Sequence, residues 1–238
     1  MKTHTIGNST SILADCNEYM RMCTPKQFDL LISDPPYFNG PEKGRFYGSQ
    51  TSKIGVKRYD YPVCPEEWEV PTKEYFDLAF EISKHQIIWG CNYYDYKFAP
   101  GRIIWDKVNT ASSFSDCEQA FCSMYHKTKL FRYMWSGMLQ GKSIYNGHIM
   151  QGNKRLNEKR IHPTQKPVSL YLWTLMEHAI PGWRIIDTHQ GSGSLRIACY
   201  LFGVDYVGIE KAEPYFNDSN DRFEKFINQE AKNYKLWV

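Results

Sequence analysis

Four consecutive residues, Asp34-Pro35-Pro36-Tyr37, place an acid, two prolines and an aromatic ring directly after a short apolar run. The run over residues 28–33 is typical of a buried strand. It must end at Asp34, because proline cannot donate to a sheet ladder and fixes its own φ. Ligands of open α/β sheets bind at the carboxyl ends of strands. A carboxylate, the Pro35 carbonyl without a neighbouring N–H and an aromatic face are therefore presented together, a set that suits a flat ring carrying an amino group.

The same four residues also have a purely structural interpretation. Asp-Pro-Pro is ordinary turn chemistry, and Tyr37 would then simply pack on the core. Short motifs match by chance often enough that these residues alone do not decide between the two interpretations. The rest of the chain has to be considered with them.

A glycine-rich crossing late in the chain is the second place suited to ligand binding. It lies between a predicted strand over residues 183–187 and a helix over residues 195–202, which leads into a strand over residues 205–210. Glycines there let a ligand approach the backbone, and the acid that ends the second strand is placed to bind ribose hydroxyls. Arg196 stands where the dinucleotide pattern needs its third glycine, which favours a mononucleoside-like ligand over a pyrophosphate. The candidate residues are Asp187, Gly191, Ser192, Gly193, Ser194 and Glu210.

An acid near the start of the chain is predicted to reach the same edge of the sheet. Residues 11–16 predict a short strand closed by Asp15 and Cys16, and a helix over residues 17–23 leads into the strand that ends at Asp34. Two strands joined by one helix form a βαβ unit, so Asp15 and Asp34 should lie at one edge. Asp15 is also a good N-cap for the helix, and the two roles are compatible.

Most other segments alternate between helical and strand patterns, which indicates an α/β fold. The further predicted elements are helices over residues 72–84 and 168–179 and strands over residues 85–90, 101–107 and, approximately, 121–125. Residues 115–121 are predicted to begin a turn or short helix. The segment after Glu210 is predicted to form a covering helix.

Residues 38–65 form one long predicted loop that interleaves glycines, basic residues and aromatics. A loop of this length within a compact domain is usually functional or disordered. We interpret it as a lid over the site, in which Lys43 and Arg45 are candidate contacts to phosphates.

Positive charge is concentrated in residues 127–160, which hold eight basic residues and one acid, Glu158. The remainder of the chain has 21 basic and 25 acidic residues. Such asymmetry is typical of a polyanion partner, and a solvated basic loop is the alternative. We interpret the segment as a small recognition insert whose candidate nucleic-acid contacts are Lys142, Lys154, Arg155 and Arg160.

Composition excludes several classes of protein. No apolar run approaches the roughly 18 residues that a membrane span needs. The first residues lack the apolar core of a signal peptide, so a cytoplasmic protein is expected. The seven cysteines form no Cys-x-x-Cys pair, which predicts reduced thiols and no zinc site.

Three motifs in one order resemble those of the β-class DNA amino-methyltransferases, which use S-adenosylmethionine. They are Asp34-Pro35-Pro36-Tyr37, then His162-Pro163-Thr164-Gln165-Lys166-Pro167, then the glycine crossing with Glu210. The resemblance spans Asp15 to Glu210, and the joint occurrence is far more specific than any single motif. It implies a Rossmann-like sheet that is circularly permuted, with the catalytic half before the cofactor half, in a single domain over residues 1–238.

The resemblance also implies roles for the matching residues. Glu210 would bind the ribose of the cofactor, Asp15 and Cys16 match the motif that meets its adenine, and Lys166 would be the counter-charge of its carboxylate. Asp34, Pro35, Pro36 and Tyr37 would engage the target base. The full set of implied cofactor-binding residues is Asp15, Cys16, Asp34, His162, Thr164, Lys166, Asp187, Gly191, Ser192, Gly193, Ser194 and Glu210.

One departure from the family pattern lies in the glycine crossing. The family usually has Asp-Pro-Phe-x-Gly-Ser-Gly-Thr, whereas Thr188 and His189 replace the Pro-Phe pair here. His189 is either a substitute stacking ring or a loop histidine. The departure puts cofactor affinity in question more than cofactor identity.

The expected reaction is methyl transfer to the exocyclic amine of a base flipped out of double-stranded DNA. Asp34 and the Pro35 carbonyl would accept the two amine hydrogens, and Tyr37 would stack on the base. Adenine N6 is the expected target, because the family pairs Asp at the first motif position mostly with adenine. The alternatives are cytosine N4, an RNA base, a protein glutamine or a non-catalytic DNA-binding regulator with a decayed cofactor loop. A homodimer and a restriction endonuclease partner are left open, and no metal is expected.

Overall fold

The computed structural model describes residues 1–37, 61, 64, 68–109, 115–136 and 139–230. The strands are β1 Lys2–Ile6, β2 Ser9–Leu13, β3 Phe28–Ser33, β4 Ser83–Trp89, β5 Arg102–Asp106, β6 Cys117–Cys122, β7 Thr128–Arg132, β8 Trp135–Ser136, β9 Leu139–Gln140, β10 Arg184–Asp187 and β11 Asp205–Glu210. The helices are α1 Cys16–Arg21, α2 Lys73–Ile82, α3 Val168–His178, α4 Ser194–Phe202 and α5 Glu213–Lys225. Short 3₁₀ and π segments cover Lys154–Leu156 and Phe226–Glu230.

Nine strands form one sheet in the order β1-β2-β11-β10-β3-β4-β6-β5-β7. The strands from β2 to β4 in this order are mutually parallel, so their carboxyl ends share one edge. The predicted α/β sheet is confirmed. β3 precedes β10 and β11 in the chain but lies beside β10 in the sheet, which is the order that a circular permutation requires; the permutation itself stays a prediction.

The centre of the sheet is covered on both faces, which explains the continuous apolar run of β3. Leu30 and Ile32 pack in one core cluster with residues of α3, and Leu31 packs on the other side with residues of α2. All three side chains are fully buried. Strands of this kind read as unbroken hydrophobic segments because neither face meets water.

Two differences from the sequence prediction lie in strands with polar residues. The turn or short helix predicted over residues 115–121 is wrong, because Cys117–Cys122 pairs antiparallel with both β4 and β5. β1, which was not predicted, is an edge strand whose side chains are mostly exposed, so it lacks an apolar pattern. Thr128–Arg132, the start of the basic segment, pairs parallel with β5 as the last strand of the sheet.

Arg196 is fully buried on α4 and joins three parts of the fold. Its guanidinium donates to Ser9 Oγ at 2.7 Å and to Asn220 Oδ1 at 2.6 Å, and it lies 4.1 Å from the ring centroid of Phe223. At the position of the third glycine, Arg196 therefore has a structural role: it connects α4 to β2 and α5.

Candidate functional site

A cleft of about 190 Å³ lies at the carboxyl ends of β2, β3, β10 and β11. It brings together most of the residues that the three motifs contribute. Those lining it are Asp15, Cys16, Asp34, Pro35, Pro36, Tyr37, His162, Thr164, Lys166, Gly191, Ser192, Ser194 and Glu210. Two of the predicted cofactor-binding residues, Asp187 and Gly193, do not line the cleft.

Asp34 is held in the cleft by an ion pair rather than by backbone groups. Lys166 Nζ lies 2.5 Å from Asp34 Oδ2 and 2.9 Å from Glu118 Oε2. Asp34 Oδ1 is buried and has no hydrogen-bond partner among the described residues. One oxygen of Asp34 is therefore fixed by Lys166, and the other is an acceptor with no donor in the described part of the chain.

Burial and the neighbouring opposite charges have opposing effects on the pKa values of Asp34, Lys166 and Glu118. Burial raises the pKa of Asp34 above its ordinary value, with Lys166 opposing it and Glu118 adding to it. Burial also acts on Lys166, but the two carboxylates outweigh it and raise the pKa of the ammonium. Glu118 is buried too, yet Lys166 and Lys107 bring its pKa down to about 2. Lys166 and Glu118 are thus charged at neutral pH.

The Pro35 carbonyl and the Tyr37 ring are both positioned by the segment after β4. The Tyr94 hydroxyl donates to Pro35 O at 2.6 Å, and no N–H of the described residues donates to this carbonyl, so one of its lone pairs has no donor within that part of the chain. Tyr37 stacks on Tyr93 with ring centroids 4.5 Å apart. Gly90 has a φ of +72°, and a Cβ there would lie 2.6 Å from Tyr37 Cδ1. Glycine is therefore required for Tyr37 to lie against this turn.

Thr188 and His189 are part of an ordered polar network. Thr188 Oγ1 lies 2.7 Å from Ser33 Oγ and 2.6 Å from the Tyr75 hydroxyl. His189 Nδ1 lies 3.2 Å from Ser33 Oγ, and its ring meets that of Tyr75 edge-on at 5.3 Å. The replacement of Pro-Phe therefore creates hydrogen bonds between the crossing, β3 and α2.

Burial lowers the pKa of His189 to about 4, so its ring is neutral near pH 7. A lowered folded-state pKa contributes stability that is present above the unfolded value of about 6.5 and is lost as the pH falls towards 4. On acidification from pH 6.5 to 4, the free energy of unfolding should fall by about 1–2 kcal/mol more in the wild type than in His189→Phe. Urea unfolding at both pH values measures this, and equal losses in the two proteins would contradict the assignment.

Glu210 and Asp187 organise the backbone of the crossing. Glu210 accepts the Gly191 N–H at 2.8 Å and the Ala212 N–H at 2.9 Å. Asp187 accepts the His189 N–H at 3.1 Å, and burial raises its pKa to about 7. Gly193, which precedes α4, has a φ of +70°. The loop thus keeps the acid and glycine geometry of a nucleoside-binding crossing.

Asp15 caps α1 and lies at the cleft, whereas its contact with a cofactor stays a prediction. Its Oδ1 accepts the N–H groups of Asn17 and Glu18 at 2.9 and 3.1 Å, which caps α1. It also lines the cleft, with Oδ2 3.8 Å from Lys211 Nζ. Asp15 and Asp34 therefore lie at one edge of the sheet, as predicted.

Cys16 lines the cleft as a neutral thiol. Burial, reinforced by Asp15, raises its pKa to about 12. The thiolate is the reactive form, so only about one molecule in 10⁴ carries it at pH 8. Iodoacetamide at pH 8 should therefore label Cys16 at least about 100-fold more slowly than the exposed Cys117, as measured by peptide mass spectrometry. Equal labelling rates would contradict the burial of this thiol.

His162 and Thr164 form the wall opposite β3. The Thr164 N–H donates to His162 Nδ1 at 3.3 Å, and the His162 ring centroid lies 4.4 Å from that of Tyr215. His162 is thereby anchored on α5, and the segment that it begins carries Lys166 to Asp34.

Of the predicted nucleic-acid contacts, the four within the described residues do not line the cleft: Lys142, Lys154, Arg155 and Arg160. Lys142, Lys154 and Arg155 are exposed, whereas the Arg160 guanidinium lies 4.4 Å from the ring centroid of Trp135. Lys43 and Arg45, with most of the predicted lid, lie outside the described residues.

Sequence reasoning missed three polar side chains that position the site. They are Tyr75, which bonds to Thr188, Tyr94, which bonds to Pro35, and Glu118, which pairs with Lys166. Tyr75 belongs to the apolar face of α2, so its pattern is that of a core residue. Glu118 carries no local signal, because its partners are distant in the chain.

Within the described part of the chain, no group of three or more His, Cys, Asp or Glu side chains is arranged to hold a metal ion. No helix within the same residues is long and apolar enough to cross a bilayer.

Known proteins resemble the chain in sequence and in fold. Residues 125–221 match the family described as DNA methylase, of N6 and N4 methyltransferases. Type II methyltransferase M.HinfI of Haemophilus influenzae is 24% identical over 244 residues, which cover 90% of this chain and 68% of that protein. Type II methyltransferase M2.DpnII of Streptococcus pneumoniae is 22% identical over 89% of this chain and 88% of its own length.

Solved structures show the same fold. The M1.HpyAVI–SAM complex has a TM-score of 0.52 at 19% identity, covering 89% of this chain and 98% of its own. The cytosine-N4-specific PvuII DNA methyltransferase has a TM-score of 0.56 at 14% identity, covering 92% of this chain and 87% of its own. The family match over residues 125–221, and the sequence similarity to two type II methyltransferases over most of the chain, agree with the resemblance that the sequence motifs indicate.

Proposed function

We propose that this protein transfers a methyl group from S-adenosylmethionine to the exocyclic amine of a base in DNA, and that the base is adenine, methylated at N6. The observation that carries the proposal is the state of Asp34. Its Oδ2 is fixed by Lys166, while its buried Oδ1 has no donor in the described structure. A buried acceptor without a donor is costly, and a ligand N–H relieves that cost.

Asp34 and Pro35 together offer two acceptors to one amine. Within the described residues, the Pro35 carbonyl accepts only from the Tyr94 hydroxyl, and Asp34 Oδ1 accepts from no donor, so both oxygens have lone pairs for an amine. Two acceptors on the amine hydrogens draw the nitrogen lone pair out of the ring, which makes the nitrogen a better nucleophile. As the nitrogen gains its new bond, Asp34 is placed to hold the proton that leaves. Positioning of the amine, rather than a strong base, supplies most of the rate.

The residues of the crossing fit a nucleoside-type cofactor. Glu210 ends β11 beside Gly191, and Asp15 ends β2 across the same edge, so acids and glycine backbone surround the cleft. His162 and Thr164 line the opposite wall. When bound, S-adenosylmethionine supplies the electrophilic methyl group. Lys166 is committed to Asp34 and Glu118, so we propose that it orients Asp34 in addition to balancing charge near the cofactor.

Tyr37 is the proposed stacking partner of the flipped base. It lines the cleft, whereas Tyr93, which stacks on it, does not. Tyr93 thus supports the ring from outside the cleft. Base stacking on an aromatic side chain contributes about 1–3 kcal/mol, enough to favour the extrahelical position.

The ordered crossing supports an enzyme over a regulator with a decayed cofactor loop. Thr188 and His189 are bonded to β3 and α2 rather than left without partners. If the His189 ring stacks on the cofactor, His189→Phe should bind S-adenosylmethionine within about 3-fold of wild type, and His189→Ala should bind about 10-fold more weakly. Calorimetric titration decides this. Equal affinities in the two variants would make His189 a loop residue only.

The product nucleoside tests the function. The protein is incubated with duplex DNA and methyl-labelled S-adenosylmethionine, and the DNA is digested to nucleosides. We expect the label in N6-methyldeoxyadenosine. Label in N4-methyldeoxycytidine would identify cytosine N4 as the target. Label only in a parallel RNA sample would identify RNA as the substrate. No label in either nucleic acid would refute the proposal.

A further inference from the structure

We propose that Glu118, with Lys107 behind it, positions the Lys166 ammonium so that it engages one oxygen of Asp34 and leaves the other available to the substrate amine. The inference rests on the proposed function only in treating Asp34 as the group that contacts the amine. Glu118 and Lys107 are positioning residues, since neither lines the cleft.

Four side chains form a row of alternating charges that leads away from the cleft. Asp34 follows β3, Lys166 lies before α3, Glu118 is on β6 and Lys107 follows β5. Lys166 bridges Asp34 and Glu118 at 2.5 and 2.9 Å, and Lys107 pairs with the other oxygen of Glu118. The side chain of Lys166 is 3% exposed, and those of the other three are 14–16% exposed. Solvent therefore screens the row only weakly.

Two tryptophan rings enclose this row of charges. Lys166 Nζ lies 5.7 Å from the ring centroid of Trp89, and Lys107 Nζ lies 5.3 Å from that of Trp105. Both rings are almost fully buried and meet edge-on at 6.4 Å. Cations over aromatic faces are held in place, so each lysine is confined between a ring and its carboxylates.

Asp34 and Glu118 compete for the Lys166 ammonium. A lysine paired with Asp34 alone would be free to approach both carboxylate oxygens, because an ammonium has three donors. Glu118 also pairs with the ammonium, and Asp34 Oδ1 has no hydrogen-bond partner among the described residues, so Lys166 engages Asp34 through Oδ2. Lys107 in turn neutralises Glu118, which prevents Glu118 from taking Lys166 away from Asp34. The position of the Lys166 ammonium is therefore set by Glu118 on β6, which attracts it, and by Lys107 after β5, which weakens that attraction.

Other titratable groups act on Asp34 from the surrounding elements. Besides Lys166 and Glu118 they are His162, Tyr94, Tyr171 and Asp187. None of these four changes in the variants described below, so the comparison isolates the charges of Glu118 and Lys107.

Two variants should move the titration of Asp34 in opposite directions. Glu118→Gln removes a negative neighbour and releases Lys166 to Asp34, so the Asp34 carboxyl should titrate at lower pH. Lys107→Met leaves Glu118 without its second partner and draws Lys166 away, so Asp34 should titrate at higher pH. Each displacement should be about half a pH unit or more. A purely structural role would move both titrations in the same sense or leave them unchanged.

The measurement is the ¹³C-carboxyl NMR titration of the cofactor-free protein, labelled at aspartate, with the Asp34 signal assigned from its loss in Asp34→Asn. Glu177→Gln and Lys129→Met are matched controls, because they break a Lys–Glu pair on α3 and β7 away from the cleft. Displacements in the same direction, or none, in Glu118→Gln and Lys107→Met would overturn the inference.

The single-turnover rate of methyl transfer to DNA is measured on the same proteins across pH. Its acid limb should follow the Asp34 titration, moving down in Glu118→Gln and up in Lys107→Met. If the Asp34 titration moves in the variants but the acid limb of the transfer rate does not, the role of Glu118 in the reaction is overturned. Wild-type protein that shows the titrations but transfers no methyl group would overturn the proposed function and leave the charge arrangement intact.

Discussion

Asp34→Ala should reduce single-turnover methyl transfer to DNA by about 10³-fold or more, while the affinity for S-adenosylmethionine stays within about 3-fold of wild type. The variant removes Oδ1, the buried acceptor without a donor, and leaves the amine with the Pro35 carbonyl alone. Glu210 and Asp15, which are proposed to bind the cofactor, are untouched. Quenched-flow transfer assays and calorimetry measure the two quantities on one preparation.

Asp29→Ala is the matched control for this variant. Asp29 lies on the same strand, β3, where it pairs with Lys84 at 2.7 Å and accepts the Arg184 N–H away from the cleft. Its removal should lower stability slightly and leave the transfer rate within about 2-fold of wild type. A transfer rate in Asp34→Ala close to that of Asp29→Ala would refute the role of Asp34.

Lys166→Met should lower the free energy of unfolding at pH 7 by about 3–5 kcal/mol, because it leaves the buried carboxylates of Asp34 and Glu118 facing each other without their shared cation. Transfer should fall together with stability. If Lys166 instead served mainly as the counter-charge of the cofactor carboxylate, the principal loss would be in S-adenosylmethionine affinity, with stability little changed. Urea unfolding and calorimetry on the variant separate the two roles.

The loss in the free energy of unfolding of Lys166→Met, relative to wild type, should become smaller as the pH falls. Without the lysine, the pKa of Asp34 in the folded protein rises further above its unfolded value, so the folded variant binds a proton that the unfolded chain does not. Its stability relative to wild type therefore recovers as the pH falls from 7 to 5. Lys129→Met, which breaks a more exposed Lys–Glu pair, should cost about 1 kcal/mol or less and show no such recovery. A deficit in Lys166→Met that is independent of pH would contradict the buried charge pair.

The parts of the site that depend on local chain geometry follow from the sequence. Pro35 and Pro36 end β3 at Asp34, and Asp15 caps the helix after β2, so parallel pairing alone brings the two acids to one edge. Gly191 and Glu210 follow from the βαβ pattern in the same way. In each case the signal lies within a few residues and needs no knowledge of distant contacts.

The parts that depend on distant contacts do not follow from the sequence. Lys166 was expected to face the cofactor, but its partner Glu118 is on a strand whose Cys117-Glu118-Gln119 start has no strand pattern. That strand forms because β4 and β5 offer it antiparallel partners on both sides. Tertiary pairing overrides weak local propensity in such cases. The same holds for Tyr94, whose hydroxyl reaches Pro35 across 59 positions of the chain.

We expect the methyl donor and the target amine to meet in the cleft between Glu210 and Asp34. The most direct test is a crystal structure of the protein grown with S-adenosylmethionine. Cofactor density is expected in this cleft, with the ribose at Glu210 and the methyl-bearing end towards Asp34. Cofactor density at any other surface, with the cleft between these two acids left empty, would contradict it.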